Sequence, residues 1–469
     1  VRFAVNVVSL LVAFLAIAPL GQTDTIHLKN GQTIYADRAV EKNGHIEYDI
    51  GEEHFAIPKA AVDHIESSAA PVHSAGVPEV ALTPPTEDFS RSAEVQDRLI
   101  HDGHVDPAAL ASVEQIGSNQ LTAAAYFVAG RFEYTSGDAE RARQYFERGL
   151  GYAPQDPAML IYYTATLLRL HRTQDALHYA QESTRVAPSS SDAFKLLGQA
   201  YFDSDKTPDA IKAWKRSLEL QPDGNVKELL AMAERESSAE SNFAEADTGH
   251  FNFHYDGATT PELRRQIMET LEGHYNSLAG ELGVTPRETI SVSLYTSQEF
   301  FDVTQAPGWA GALYDGKLRI PVSGLTAMTP ELSRVLKHEL THSFIRDITH
   351  GRCPQWLNEG VAQAMEGKTI SPVAGRLERV YAAQAQMPLA SLEGNWNSFS
   401  PPEAQLAYYE GLGAVEYLND TYGMSDIVRM MQRLGEGAST EVALRSTIHG
   451  GYADLEQGIA DYLKRHYGN

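Results

Sequence analysis

Two histidines and two glutamates in the C-terminal half of this chain have the spacing that zinc chemistry needs. His338, Glu339 and His342 read H-E-x-x-H, and on a helix residues four apart project from one face. Two imidazoles one turn apart on a rigid element would give Zn2+ two of its ligands. The ion takes N and O donors at about 2.0–2.2 Å and at catalytic sites keeps one position for water. Glu339 falls between them angularly and reads as a general base, able to take a proton from a water whose pKa the metal lowers towards about 7. Glu359 stands 17 residues beyond His342, room enough for the chain to turn and return a carboxylate as the third ligand. The plainer alternative is a structural helix carrying two solvated histidines.

The elements that must hold these groups are also legible. Thr329-Pro330-Glu331 opens a helix with a capping hydroxyl, a proline in the first turn and an early acid. Leu332, Leu336, Leu340 and Phe344 then fall four apart and form one buried stripe, with the histidines well around the helix from it. After a loop with Gly351 and Pro354, a second helix starts at Trp356 and carries Glu359. Upstream, residues 249–256 and 289–295 alternate like strands, separated by a helix from Pro261 to Leu282. Residues 309–314 and 317–322 face each other across Asp315-Gly316, a hairpin signal.

The stretch from about 248 to 469 resembles the gluzincin metallopeptidases, particularly the bacterial peptidase MA-like families. The motifs are His338-Glu339-Leu340-Thr341-His342, Trp356-Leu357-Asn358-Glu359-Gly360 and Ala407-Tyr408-Tyr409-Glu410-Gly411. The resemblance implies a zincin-like domain with a small sheet, an active-site helix and a helical C-terminal subdomain. It also implies zinc held by His338, His342 and Glu359, with a peptide or protein as substrate. Gluzincins place a Tyr or His where it stabilises the tetrahedral oxyanion; Tyr408 is the candidate here, Tyr409 the reserve, and a merely packed aromatic the alternative. One arm of the 309–322 hairpin would be the edge strand that pairs with extended substrate. The sequence departs from the thermolysin-like pattern four residues after Glu359, where Gln363 replaces an Asp. The group that orients the histidines is therefore open, with Glu366 a candidate.

An internal repeat precedes this region. Pro154, Pro188 and Pro222 are 34 residues apart, as are Ala142, Ala176 and Ala210, and Gly130, Thr164, Gly198 and Phe146, Ala180, Trp214 keep the same register. The period resembles the tetratricopeptide repeat, small residues letting paired helices approach and large ones filling the gap. Residues 225–237 would cap the stack, whose concave face is a candidate surface for a protein partner. Nearer the N-terminus, strands flanking Asn30-Gly31 and running through His54 to Ile57 read as a small β module. A Pro/Ala-rich linker follows, then helical stretches marked by Val95, Leu99 and Ile100 and by Leu110, Val113 and Ile116.

The whole therefore reads as an α+β multidomain chain. It comprises a signal peptide (1–22), a β module (23–67), a linker with lead-in helices (68–118), a repeat solenoid with its cap (119–243) and a peptidase domain (244–469). Val5 to Leu20 is short for a membrane span and matches a secretory signal better. The protein is expected to be exported, to a periplasmic or extracellular place, with membrane attachment only if that segment is uncleaved. A formal charge of −24 argues against nucleic acid as a partner. The single cysteine, Cys353, excludes an internal disulfide and reads as a small, partly buried side chain. Three functions remain open: a zinc peptidase, a repeat scaffold of the cell envelope with a degenerate or structural metal site, or a zinc hydrolase acting on a non-peptide amide or ester through the same site.

Overall fold

A computed structural model describes residues 24–29, 33–36, 38–42, 44–50, 53–67, 82, 98–101, 103–257, 259–304, 312–322, 324–394, 396 and 399–468. The signal-like segment, the Asn30-Gly31 turn, nearly all of the linker and the 309–311 arm of the later hairpin lie outside the described residues.

The β module has two three-stranded antiparallel sheets. One pairs β1 (Asp24–Leu28) with β2 (Thr33–Ala36) and β6 (Val62–Ser67); the other joins β3 (Arg38–Lys42), β4 (His45–Ile50) and β5 (Glu53–Pro58). Ile26, Ile46, Tyr48 and Val62 form its core. Strands β3 and β6 extend the module beyond the expected hairpins.

The lead-in meets the helical expectation at Leu99, which is helical, and departs from it at Ile100. Ile100 lies in a short hairpin, β7 (Ile100–His101) with β8 (His104–Val105), because Gly103 takes φ +76° in the turn between them. Leu110 and Val113 do lie in a helix, α1 (Pro107–Gln115), capped by Asp106, and Ile116 is its C-cap. Six helices follow as three hairpins: α2 (Asn119–Ser136) and α3 (Ala139–Tyr152), α4 (Pro157–Arg169) and α5 (Thr173–Val186), α6 (Ser191–Asp203) and α7 (Thr207–Leu220). The capping helix is α8 (Gly224–Ala239). The packing follows from the repeat register. Ala142, Ala176 and Ala210 are fully buried, and a Cβ on Gly130 would lie 2.7 Å from the Phe146 ring while one on Gly198 would enter the Trp214 indole. The second repeat carries Thr164 and Ala180 in that register, a larger residue facing a smaller one.

The C-terminal domain begins with β9 (Ala244–Asp247) and β10 (Phe251–Tyr255), then α9 (Pro261–Leu282), β11 (Ile290–Tyr295), α10 (Ser297–Thr304), β12 (Leu313–Tyr314) and β13 (Leu318–Pro321). Its sheet has the order β12-β13-β11-β10-β9, parallel at β13-β11-β10 and antiparallel at both edges. Helices complete it: α11 (Pro330–Thr349), α12 (Gln355–Met365), α13 (Ala374–Ala382), α14 (Pro401–Tyr422), α15 (Met424–Gly435), α16 (Thr440–Ile448) and α17 (Tyr452–Tyr467). The repeat array and this domain, apart from residues 399–405, fall within one compact unit. Among the described residues no helix is long and apolar enough to cross a membrane.

Candidate metal centre

Helix α11 presents the H-E-x-x-H residues as its sequence dictates. Thr329 caps it by accepting from Leu332 N at 3.1 Å, and it ends at His350, whose left-handed φ of +48° breaks the run. Leu332, Leu336, Leu340 and Phe344 are buried as one stripe. The other side turns His338, Glu339 and His342 together, with one donor atom from each inside a 4.8 Å sphere of mutual distance.

Helix α12 brings the third group back. Glu359, 2% exposed, lies with Oε2 3.4 Å from His338 Nε2 and Oε1 3.8 Å from His342 Nε2. Gln355 Nε2 donates to Glu359 Oε1 at 3.0 Å. The far side of each imidazole is engaged: His338 Nδ1 is 3.0 Å from Glu366 Oε1, and His342 Nδ1 is 2.9 Å from Asn358 Oδ1. An acceptor on Nδ1 fixes the tautomer that leaves the Nε2 lone pair for a metal. The donor set of two imidazole nitrogens and one carboxylate facing a common point fits zinc.

Glu366 thus takes the role for which the sequence offered it, and Asn358 takes the parallel role, which sequence reasoning missed. The one available signal was position: Asn358 immediately precedes Glu359 and so shares its approach to α11. Gln363, which stands where an Asp was sought, does something else. Its Nε2 donates to Glu359 O at 3.2 Å and to Tyr408 O at 3.0 Å, tying α12 to α14. The two helices approach closely at Gly360 and Gly411: a Cβ on Gly360 would collide with Gly411 O, and one on Gly411 would come 2.7 Å from Trp356 O.

Glu339 is held from the sheet, where Tyr314 N in edge strand β12 donates to its Oε2 at 2.9 Å. Burial, with the Glu359 charge adding to it, pushes the Glu339 carboxyl above its ordinary range, against the two histidines and the Tyr314 amide. Burial pulls His338 down, but its hydrogen bonds to Glu359 and Glu366 and the surrounding carboxylate charge outweigh this and raise it to about 10. The pocket therefore favours positive charge at this point. Tyr408 lies close enough to feel the same carboxylates. Burial first, then the charges of Glu359, Glu339 and Glu366, lift its phenol well above 10, and its ring meets Trp396 edge-on at 5.3 Å. Its neighbour Tyr409 is partly buried. Cys353 is also partly buried, and burial followed by the Glu359 charge keeps it a thiol.

Fold and site together define a repeat array joined to an α+β domain with a two-histidine, two-glutamate cluster. Comparison with known proteins agrees: residues 273–464 match the family model of the Peptidase MA superfamily, and residues 166–225 match that of the tetratricopeptide repeat. Both halves of the resemblance drawn from the sequence are shown at that level. Among curated proteins the chain is similar to the Hsp70-Hsp90 organizing protein of Triticum aestivum, 28% identical over 116 residues, which is 24% of this chain. The match spans only 19% of that relative's length. Among solved structures it is similar to the first tetratricopeptide domain of Spaghetti (RPAP3) bound to an HSP90 peptide, at 20% identity and a TM-score of 0.25, over 26% of this chain and 96% of that one. It is also similar to MamA from Desulfovibrio magneticus RS-1, at 18% identity and a TM-score of 0.27, over 33% and 88%.

Proposed function

We propose that the chain is an exported zinc-dependent peptidase of the gluzincin kind, with Glu339 as general base and the repeat array as a docking surface for a protein or peptide. One observation carries the reading. Both histidines are fastened at Nδ1 by acceptors on or beside the helix that bears Glu359, so that the two Nε2 atoms and the carboxylate converge. His338, His342 and Glu359 would hold the ion. Zinc, when bound, supplies Lewis-acid polarisation and makes a nucleophile available at neutral pH.

This chain's own residues would do the rest. Glu339, with one oxygen held by the Tyr314 amide, keeps its other oxygen to take a proton from water and pass it to the leaving amine. Tyr408 stays protonated and would donate a hydrogen bond to the developing oxyanion. β12, the edge strand of this sheet among the described residues, would lie alongside an extended substrate backbone. The apolar run Val5 to Leu20 supports export.

The test is metal content by elemental analysis of the wild type and a His338→Ala variant, followed by peptide turnover with Glu339→Gln. One zinc per chain, lost in His338→Ala, with turnover lost in Glu339→Gln, is the expected result. A wild type that binds no zinc even when supplied with it would overturn the peptidase and leave the repeat scaffold.

A further inference from the structure

Glu339 depends on a strand that cannot stand alone. Tyr314, whose amide holds it, belongs to a two-residue strand paired, among the described residues, through Leu313↔Arg319 and Tyr314↔Leu318, too short a ladder to be stable by itself. Leu313 packs in an apolar cluster with Tyr295, Phe300 and Val303, and the rest of what fixes the hairpin is ionic. Asp315, Lys317 and Arg319 alternate along the hairpin and are all buried, Arg319 completely. Arg319 Nε donates to Asp315 Oδ2 at 2.9 Å, its Nη1 to the Tyr295 hydroxyl at 2.9 Å and its Nη2 to Glu236 Oε2 at 2.8 Å. Lys317 Nζ meets Glu236 Oε1 at 2.7 Å and Asp205 Oδ1 at 2.8 Å. Glu236 lies near the end of α8, the array's capping helix, and is fully buried. Asp205 lies in the turn between α6 and α7. Much of what pins this hairpin therefore belongs to the array, not to the hairpin's own domain.

The turn that bears Asp205 is one of a series. Gly137, His171 and Asp205 are 34 residues apart and all take positive φ, +93°, +51° and +57°, which His and Asp tolerate better than most side chains. Each meets the C-terminal domain. A Cβ on Gly137 would run into the Arg352 guanidinium, and His171 and Asp205 line a cavity of ≈ 360 Å³ that Lys317, Tyr314 and Arg346 also line. Arg346, one turn past His342 on α11, lines the same cavity as Tyr314 and its charge acts on the Tyr314 hydroxyl. The hairpin is thus clamped between the metal helix and the repeat turns.

Building on the peptidase function proposed above, we infer that Glu236 and Asp205 are positioning residues for the Glu339 base, and that the repeat array is a working part of the active site instead of a detachable spacer. The experiment uses the full zinc-loaded chain. Glu236→Gln keeps the shape but leaves Arg319 and Lys317 short of counter-charge in a buried place, where a missing partner is felt strongly. Asp205→Asn is the milder variant; it removes the charge facing Lys317 and His254 and keeps a side chain suited to the turn. In Glu236→Gln, kcat is expected to fall about 10-fold or more with KM changed less than about twofold, because small misplacements of a reacting group act on turnover. Zinc stoichiometry should not change. The Tyr314 amide should exchange with solvent at least about 10-fold faster, while amides in the middle of α11 keep their wild-type rates. Asp205→Asn should move both readouts the same way by less, and decides the matter if Glu236→Gln does not fold. Unchanged kcat and unchanged Tyr314 exchange in folded, zinc-bearing variants would overturn the inference, as would faster exchange with unchanged kcat. A wild type without turnover would sink the peptidase reading alone, since amide exchange still reports whether the array pins the hairpin.

Discussion

Replacing Glu410 by glutamine should stabilise the helices around it at neutral and alkaline pH and flatten their response to pH. Glu410, on α14, is fully buried, and Met387 N donates to its Oε1 at 3.0 Å. Burial, with a smaller contribution from the Glu456 charge and against the Met387 hydrogen bond, raises its carboxyl from the ordinary 4.5 to about 8. Between these values the unfolded chain has released the proton and the folded chain has not. The unfolded state then binds fewer protons, so stability is full below about pH 4.5 and falls as pH rises through the window. At about 1.36 kcal/mol per unit the loss is roughly 3 kcal/mol by pH 7 and roughly 4–5 kcal/mol above pH 8. Glutamine keeps an oxygen for the Met387 amide and cannot ionise. The stability of Glu410→Gln relative to wild type should therefore climb by about 4 kcal/mol from pH 4.5 to pH 9. A chain of this size need not unfold in one step, so the suitable assay is native-state hydrogen exchange of the α14 amides from Leu406 to Tyr422 at several pH values. A wild-type-to-variant difference that does not vary with pH would refute the reasoning, and so would a carbon-detected titration that puts the Glu410 carboxyl below about 5.

Three further outcomes are expected. Glu339→Gln should keep one zinc per chain by metal analysis and lose about 10²–10⁴-fold in peptide turnover, the usual weight of a general base. Asn358→Ala and Glu366→Ala, each removing one Nδ1 partner, should weaken zinc by about 10–100-fold in competition with a chelator, with the helical circular dichroism unchanged. Gly360→Ala drives a methyl into Gly411 O and should cost about 1–3 kcal/mol, read as a lower midpoint in urea, while Gly375→Ala, whose only neighbour is the end of a flexible arginine at 4.0 Å, should cost little.

What the sequence made legible was whatever local rules decide. The helix Pro261–Leu282 has the bounds read from its sequence because Thr260 caps its start and Gly283 takes the left-handed conformation at its end. The repeat was readable because Gly130 opposite Phe146 and Gly198 opposite Trp214 recur in register with the buried alanines. His338, Glu339 and His342 share a face for the same local reason. Periodicity failed where a second segment decides the outcome. Ile100 joined a hairpin because of one glycine, Gly103. Asn358 looked like an ordinary polar helix residue, since nothing in its own helix shows that His342 faces it. Tyr314 acts on Glu339 through a backbone amide, which no side-chain pattern announces. The alternation at Asp315, Lys317 and Arg319 is the sharpest case. Charges at every second residue of a hairpin ordinarily mark a solvated face, yet all three are buried. Burying them requires counter-charges, and Glu236 stands 81 residues before Lys317 in the chain. A cation pair with an acid that distant leaves no trace in any local window, although here it holds the strand on which the base of the candidate site depends.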